Sequence, residues 1–435
     1  MKKSLLFLGL LALLLSSCSR MDSADLLKSV PKDTLYFSVI NAKELTSNFQ
    51  PQEIESLSSR IGDSKYKFLL SKDSGVDFEA PVVVFEYKGA PAATFCLRDE
   101  KSFRQGIEAA CGSEFKKEGG VDVCDENTVF VKDGRAWVTS EYPAVSAADI
   151  AMLASLTEEE SVLSIEAAAK LDCSGKEAVA FFNLDKAFAK MGRSDIWMVL
   201  NMVFDNLSYI TLSTDFKGSE AECDVRFYNY KSQPAPLSFN PSKLSASAIK
   251  EFPGKGNFFL ALGVNPELMR SLSAVFKSFL SVPSEMMAFL EKLDGEVIIS
   301  GDFESKFSNP ENLSAMFTLK SAGDAEKTAQ FFRSVMGSSM GNLKIYNDGK
   351  RLFVISGDKG AGSMSDYADD FKGAELGLLF LPSFFEHMDS SGSANDISVC
   401  SAVLKDSKKS NLSINFKVNE GENALSVLLR TITEK

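Results

Sequence analysis

The chain has 435 residues and a formal charge of −12, which becomes −14 if Lys2 and Lys3 leave with an N-terminal leader; no basic stretch is long enough to track phosphates, so nucleic acid is excluded as a partner. Hydrophobic residues at 45% and charged residues at 24% describe a globular chain, and the length favours two domains over one. A single histidine, His387, excludes a multi-histidine metal site by count.

Lys2 and Lys3 precede an unbroken apolar run from Leu5 to Leu15. At 1.5 Å per residue it is too short to cross roughly 30 Å of hydrocarbon, so it reads as the core of a secretion signal. The run ends in Leu15-Ser16-Ser17-Cys18, which resembles the bacterial lipobox. That resemblance implies lipidation of Cys18 and cleavage before it. Each buried methylene contributes about 0.8 kcal/mol, so two or three acyl chains give lasting attachment to a membrane. Ser19 after the cysteine, in place of Asp, resembles the sorting pattern of outer-membrane lipoproteins, periplasm-facing or at the cell surface.

Beyond this leader the sequence predicts an internal repeat. Pro31-Lys32-Asp33-Thr34-Leu35-Tyr36-Phe37-Ser38 starts a pattern that returns at Pro253-Gly254-Lys255-Gly256-Asn257-Phe258-Phe259-Leu260, and both copies run on to a Glu-Leu pair, Glu44-Leu45 and Glu267-Leu268. Next come strands at Ala92–Leu97 and Leu313–Leu319, each followed by a helix; in the first, Phe103, Ile107, Ala110 and Cys111 form one apolar stripe. Hairpins follow at Thr128–Thr139, turning on Lys132-Asp133-Gly134-Arg135, and at Leu343–Ile355, turning on Asn347-Asp348-Gly349-Lys350. Ala178–Phe182 leads into a helix near Asp185, as Leu376–Phe380 leads into one near Pro382, and two closing strands end each copy.

The expected fold class is therefore α+β: two tandem repeats, each a mostly antiparallel β-sheet with packed helices. The expected segments are a signal peptide at 1–17, a lipidated spacer at 18–30, a first repeat at 31–232, a linker at 233–250, a second repeat at 251–420 and a C-terminal segment at 421–435.

Lipobox, short spacer, the Pro31-Lys32-Asp33 opening with its alternating strand and two α+β copies together resemble a lipoprotein family of unknown function from Bacteroidales. The resemblance covers most of the mature chain and implies an address and a fold but no chemistry. Tyr36-Phe37-Ser38 departs from the family's usual smaller aliphatic residues. Asp22-Ser23-Ala24 and Asp33-Thr34-Leu35 resemble that group's O-glycosylation signal, which makes Ser23 the candidate; Thr34 is the weaker one because it enters a strand.

With Cys18 lipidated, Cys96, Cys111, Cys124, Cys173, Cys223 and Cys400 remain, compatible with disulfides or with free buried thiols. They show no CxxC spacing, so no zinc or thioredoxin-type site is indicated. His387 reads as a helix residue whose charge suits the last turn. Ser113-Glu114-Phe115-Lys116 and Ser247-Ala248-Ile249-Lys250 match a Ser-x-x-Lys tetrapeptide without its companions. The run Gly357–Ser365 lacks the Walker ending; with Asp366, Asp369 and Asp370 it reads as a surface connection, and Glu158–Glu160 as a solvated face.

No local arrangement singles out a carboxylate pair, and thirty-four Phe against two Trp and nine Tyr count against a carbohydrate-binding module. No catalytic residue, cofactor or metal is expected. The expectation is a non-enzymatic envelope lipoprotein, held to a membrane by its anchor, that engages another envelope protein or a polymer. The alternative is a carrier sheltering an acyl chain, motivated by Phe abundance and the apolar segment Phe276–Phe289; a carboxylate-based hydrolase ranks last.

Overall fold

The structure, a computed structural model, describes residues 23–47, 68–69, 71, 73–124, 128–191, 204, 206–237, 240–270, 273, 284–302, 311–336, 343–356, 363–388 and 396–433. In chain order the strands are β1 (Tyr36–Ile40), β2 (Val82–Tyr87), β3 (Ala90–Cys96), β4 (Lys116–Glu118), β5 (Val121–Cys124), β6 (Val129–Lys132), β7 (Arg135–Thr139), β8 (Ala178–Asn183), β9 (Leu207–Lys217) and β10 (Glu220–Asn229). They continue as β11 (Phe258–Val264), β12 (Leu293–Asp302), β13 (Glu311–Leu319), β14 (Leu343–Asp348), β15 (Arg351–Ser356), β16 (Leu376–Phe380), β17 (Ile397–Asp406) and β18 (Asn411–Val418).

All eighteen strands belong to one antiparallel sheet, which corrects the expectation of two tandem repeats with a sheet each. Matching segments reveal which residues form strands, but not where a sheet stops. A terminal strand leaves a row of unpaired N–H and C=O groups, and two separate sheets would leave more such rows than one.

The chain packs as two compact units: Met1–Trp197 with Leu207–Gln233 and Asn423–Thr433, and Met198–Asn206 with Pro234–Glu422 and Glu434–Lys435. In the first unit the strands pair in the order β10-β9-β8-β1-β2-β3-β7-β6-β5-β4. Because side chains alternate across a strand, Phe37, Phe85 and Phe181 align on one face with Val39, Val83, Val179 and Trp137. All are almost fully buried, beneath the helices Ser23–Leu27, Ala147–Ala154 and Glu166–Ala169. The helix Ala147–Ala154 starts where it does because Ser146 and Asp149 form a reciprocal capping box. On the opposite face Phe103, from the helix Glu100–Cys111, meets Phe95 edge-on at 6.2 Å. Of that helix's expected stripe, Phe103 and Ile107 are buried, whereas Ala110 and Cys111 are half-buried.

In the second unit the order is β18-β17-β16-β11-β12-β13-β15-β14. Phe259, Ala261, Ile298, Met316, Phe353, Leu379 and Val403 form the core face, covered by Ala246–Glu251 and Ala368–Phe371. Glu375, almost fully buried, fixes the strand ends: its carboxylate accepts the Ser407 N–H at 2.6 Å and pairs with Lys243 at 2.9 Å. A burial this polar is tolerable only with such partners.

Both expected hairpins are present, with different turns. Asp133 and Gly134 both take positive φ (52° and 74°) between Lys132 and Arg135, whereas in the second hairpin Asp348 pairs with Arg351 and only Gly349 (φ 55°) is left-handed. The first is the turn that needs two left-handed residues, the second the one that needs glycine at its first central position.

Candidate apolar binding face

The second unit's sheet is apolar on its other face too. Register places three rows across the strands. One is Phe258, Phe380, Cys400 and Phe416 on β11, β16, β17 and β18. The middle row is Ile299, Leu260, Leu378, Ala402 and Ile414, reaching back onto β12. The third is Phe317, Val297, Leu262, Leu376, Leu404 and Leu412, reaching β13.

One end of this face is closed. Phe289 from the helix Ser284–Leu290 meets Phe317 at 5.1 Å and Phe332 of the helix Ala322–Met336 at 5.3 Å, within a cluster that includes Leu262 and Val297. At the opposite side Phe384, from the helix Pro382–Met388, lies over Phe380 at 4.6 Å. Between these supports Leu260, Leu378, Ile299, Ile414 and Phe416 are only half-buried, although each is large and apolar, whereas Ala402 and Leu404 of the same rows are buried. Strands apolar on both faces read as continuous hydrophobic runs, as in Phe258-Phe259-Leu260-Ala261-Leu262 and Leu376-Gly377-Leu378-Leu379-Phe380.

Cys400 is the one titratable residue on the three rows, and burial pushes its thiol above the ordinary range. Among the described residues the rest of this face's three rows is apolar. What it can do is remove apolar surface from water, at about 25 cal/mol per Å².

In the first unit a cavity of about 450 Å³ is lined by Ser23, Leu27, Asn41, Glu79, Lys170, Asp172 and Cys173, among others. This brings together two residues singled out in the sequence, Ser23 and Cys173. Its charges are already engaged: Glu79 pairs with Lys43 at 3.9 Å, Lys170 with Glu166, and Ser174 donates to Asp172, which holds that carboxyl below its usual range.

The remaining sequence candidates lie apart. Cys18, Phe276 and Gly357–Gly362 fall outside the described residues. Thr34 is buried and donates to the Glu86 carbonyl at 2.7 Å. No disulfide joins the six cysteines from Cys96 to Cys400. Burial pushes the Cys96 and Cys223 thiols up to about 11.

Ser113 contacts Cys124 at 3.3 Å while Lys116 points into solvent; Ser247 is exposed, and Lys250 reaches Asp369 at 3.4 Å. Neither pair is a serine-lysine dyad. His387 lies on Pro382–Met388, its side chain outside the described part, and Glu158–Glu160 is an exposed single turn. Among the described residues no group of three or more His, Cys, Asp or Glu could hold a metal ion.

No protein-family profile and no curated protein matches the chain. The solved structure titled "Structure of crystal form I of TP0453" aligns over 79% of this chain and 94% of its own, at 9% identity and a TM-score of 0.30. A likeness at that level assigns neither fold nor function.

Proposed function

We propose that the chain is a non-catalytic envelope lipoprotein, tethered to a membrane through Cys18, that holds an acyl-type ligand on the second unit's open sheet face. The observation that carries the reading is the middle row, where Ile299, Leu260, Leu378 and Ile414 are only partly buried, with the buried Ala402 between the last two. Soluble proteins seldom leave a contiguous apolar patch of this kind without a use for it. Each methylene transferred from water to such a surface contributes about 0.8 kcal/mol, so an acyl chain binds there without any polar partner. The tether is supported by the Leu15-Ser16-Ser17-Cys18 run. The absence of enzymatic chemistry is supported by the serine and lysine candidates, which are dispersed or otherwise engaged.

Native mass spectrometry of the chain from Ser19 onward, purified from its own envelope, tests the ligand. A retained acyl lipid is the expected result. A bare chain would overturn the carrier reading in favour of a protein or polymer partner, to be sought by crosslinking in cells. Mass analysis of the mature N-terminal peptide tests the tether, with a diacylglyceryl adduct on Cys18 as the expected result and an unmodified cysteine as its refutation.

A further inference from the structure

We propose that the first unit's cavity binds the primary ammonium of an ethanolamine phosphate group, a site independent of the acyl-ligand reading above. At about 450 Å³ the cavity falls within the range of ligand pockets, roughly 300–1,000 Å³. Glu79 and Asn41 both line it. The Glu79 side chain is only 18% exposed, yet among the described residues its carboxylate accepts no hydrogen bond. Lys43 stands 3.9 Å away, too far for one, so that pair offsets charge but fills no lone pair. The half-buried Asn41 accepts the Glu44 N–H through its Oδ1 at 3.4 Å, which leaves its Nδ2 without a partner among the described residues.

Polar atoms so far from solvent are ordinarily hydrogen-bonded, and an unmet carboxylate beside an unmet amide donor suits an ammonium carried close to an oxygen. Ethanolamine phosphate has that order: an ammonium for Glu79, two methylenes for the wall of Leu27, Pro81, Leu163 and Leu171, then phosphoester oxygens for the Asn41 amide. Lys170 lines the rim, and its exposed pair with Glu166 gives way to a phosphate at little cost. Among the described residues lining the cavity none is aromatic, whereas quaternary ammonium groups are held in aromatic cages, so choline is the wrong cation. The cavity also lies where lipid headgroups lie. Ser23 lines it, and Cys18 is five residues upstream, at most about 18 Å along an extended chain, so the proposed tether keeps it at the membrane surface.

The test uses the chain from Ser19 to Lys435; the residues removed contribute to none of the described packing, which begins at Ser23. Isothermal titration calorimetry compares glycerophosphoethanolamine, glycerophosphocholine and glycerol 3-phosphate. Binding of the first, about tenfold or more tighter than either of the others, is expected. Equal binding of all three, or of none, would overturn the proposal while leaving the acyl-ligand reading intact.

Glu79→Gln, which keeps the shape and removes the charge, is expected to weaken the ethanolamine compound about tenfold or more with the circular-dichroism melt unchanged. Lys170→Glu, at an exposed position that folding tolerates, is expected to weaken it several-fold. Undiminished affinity in either folded variant would place the ligand elsewhere and end the proposal. Flotation with phosphatidylcholine vesicles, with and without phosphatidylethanolamine, identifies the source. Binding that requires phosphatidylethanolamine is expected; binding to both vesicles alike, or to neither, would overturn the bilayer as the source and leave a free ethanolamine phosphate as the ligand.

Discussion

Leu378 and Leu379 are chain neighbours on β16 that point to opposite faces of the sheet, and they give a direct measure of what each face does. Leu379 is 0% exposed, packed among Phe259, Ala261 and Phe371 in a closed core. Truncation to alanine removes its buried methyl groups and leaves a cavity, a combination that costs about 2–5 kcal/mol. Leu378 is half-buried between Leu260 and Ala402 on the open face. Its truncation loses at most about 0.8 kcal/mol for each carbon removed, scaled down by its exposure, and creates no enclosed cavity because the site already opens outward. The expected cost is about 1.5–2 kcal/mol. Equilibrium urea unfolding of Leu378→Ala and Leu379→Ala, followed by circular dichroism with a common slope, resolves that difference. Equal losses of 3 kcal/mol or more, typical of closed cores, would mean that the two faces are packed alike, and the binding reading would fail.

Asp149 holds the start of the helix Ala147–Ala154 and binds Lys88 at 2.8 Å and Tyr87 at 3.1 Å; burial raises its pKa, but these bonds and those from Ser146 outweigh it and bring it to about 2. Its folded pKa lies below the unfolded value near 3.9, so its contribution is complete above that value and is lost as pH falls toward 2. Asp149→Asn should flatten the acid limb of a stability–pH curve in that window, and an unchanged limb would refute the assignment. At pH 8 the Cys96 and Cys223 thiols, pushed up to about 11 mainly by burial, should alkylate about a hundredfold more slowly than a free thiol; peptide mapping after timed iodoacetamide treatment reads this, and rapid labelling would contradict it. Gly377→Ala should destabilise by about 1–3 kcal/mol, because the added methyl meets the Phe371 ring in a filled core, and a neutral effect in urea unfolding would mean that the ring is free to move.

Much of the strand content was legible because its signals are local. Asp133-Gly134 and Asp348-Gly349 mark reversals whatever surrounds them, and both reversals are there. The one-residue offset between the turns was not legible, since Asp348 is equally able to end a strand or begin a loop and only its cross-strand partner, Arg351, decides. The sheet's continuity was hidden for a similar reason: edge pairing is a property of backbone groups that carry no residue identity. Helix starts show the same division. Ser146 three residues before Asp149 is a readable capping signal, yet nothing local reveals that Tyr87 and Lys88, some sixty residues upstream, converge on that same carboxylate.

The open face was in the sequence in a form that is easily misassigned. A run such as Phe258-Phe259-Leu260-Ala261-Leu262 reads as a buried strand, and burial of both faces is the ordinary reason for one. Here one face is filled, with Phe259 and Ala261 at 0% exposure, while Phe258, Leu260 and Leu262 are only partly buried opposite it. The first unit carries apolar side chains on the corresponding face as well, with Tyr36, Phe182, Ile210 and Phe227 in one row and Phe182 40% exposed. Its middle row runs Ser38, Ala180 and Leu212 where the second has Leu260, Leu378 and Ala402, and Ser38 turns its hydroxyl to the Val179 carbonyl at 3.0 Å. The two rows differ by exchange: Leu260 and Leu378 stand where the first unit has Ser38 and Ala180, while the buried Ala402 stands where it has Leu212. The proposed apolar ligand would therefore meet two leucines on the second unit's row where the first unit presents a serine and an alanine, which makes Leu260 and Leu378 the positions whose truncation should weaken it most.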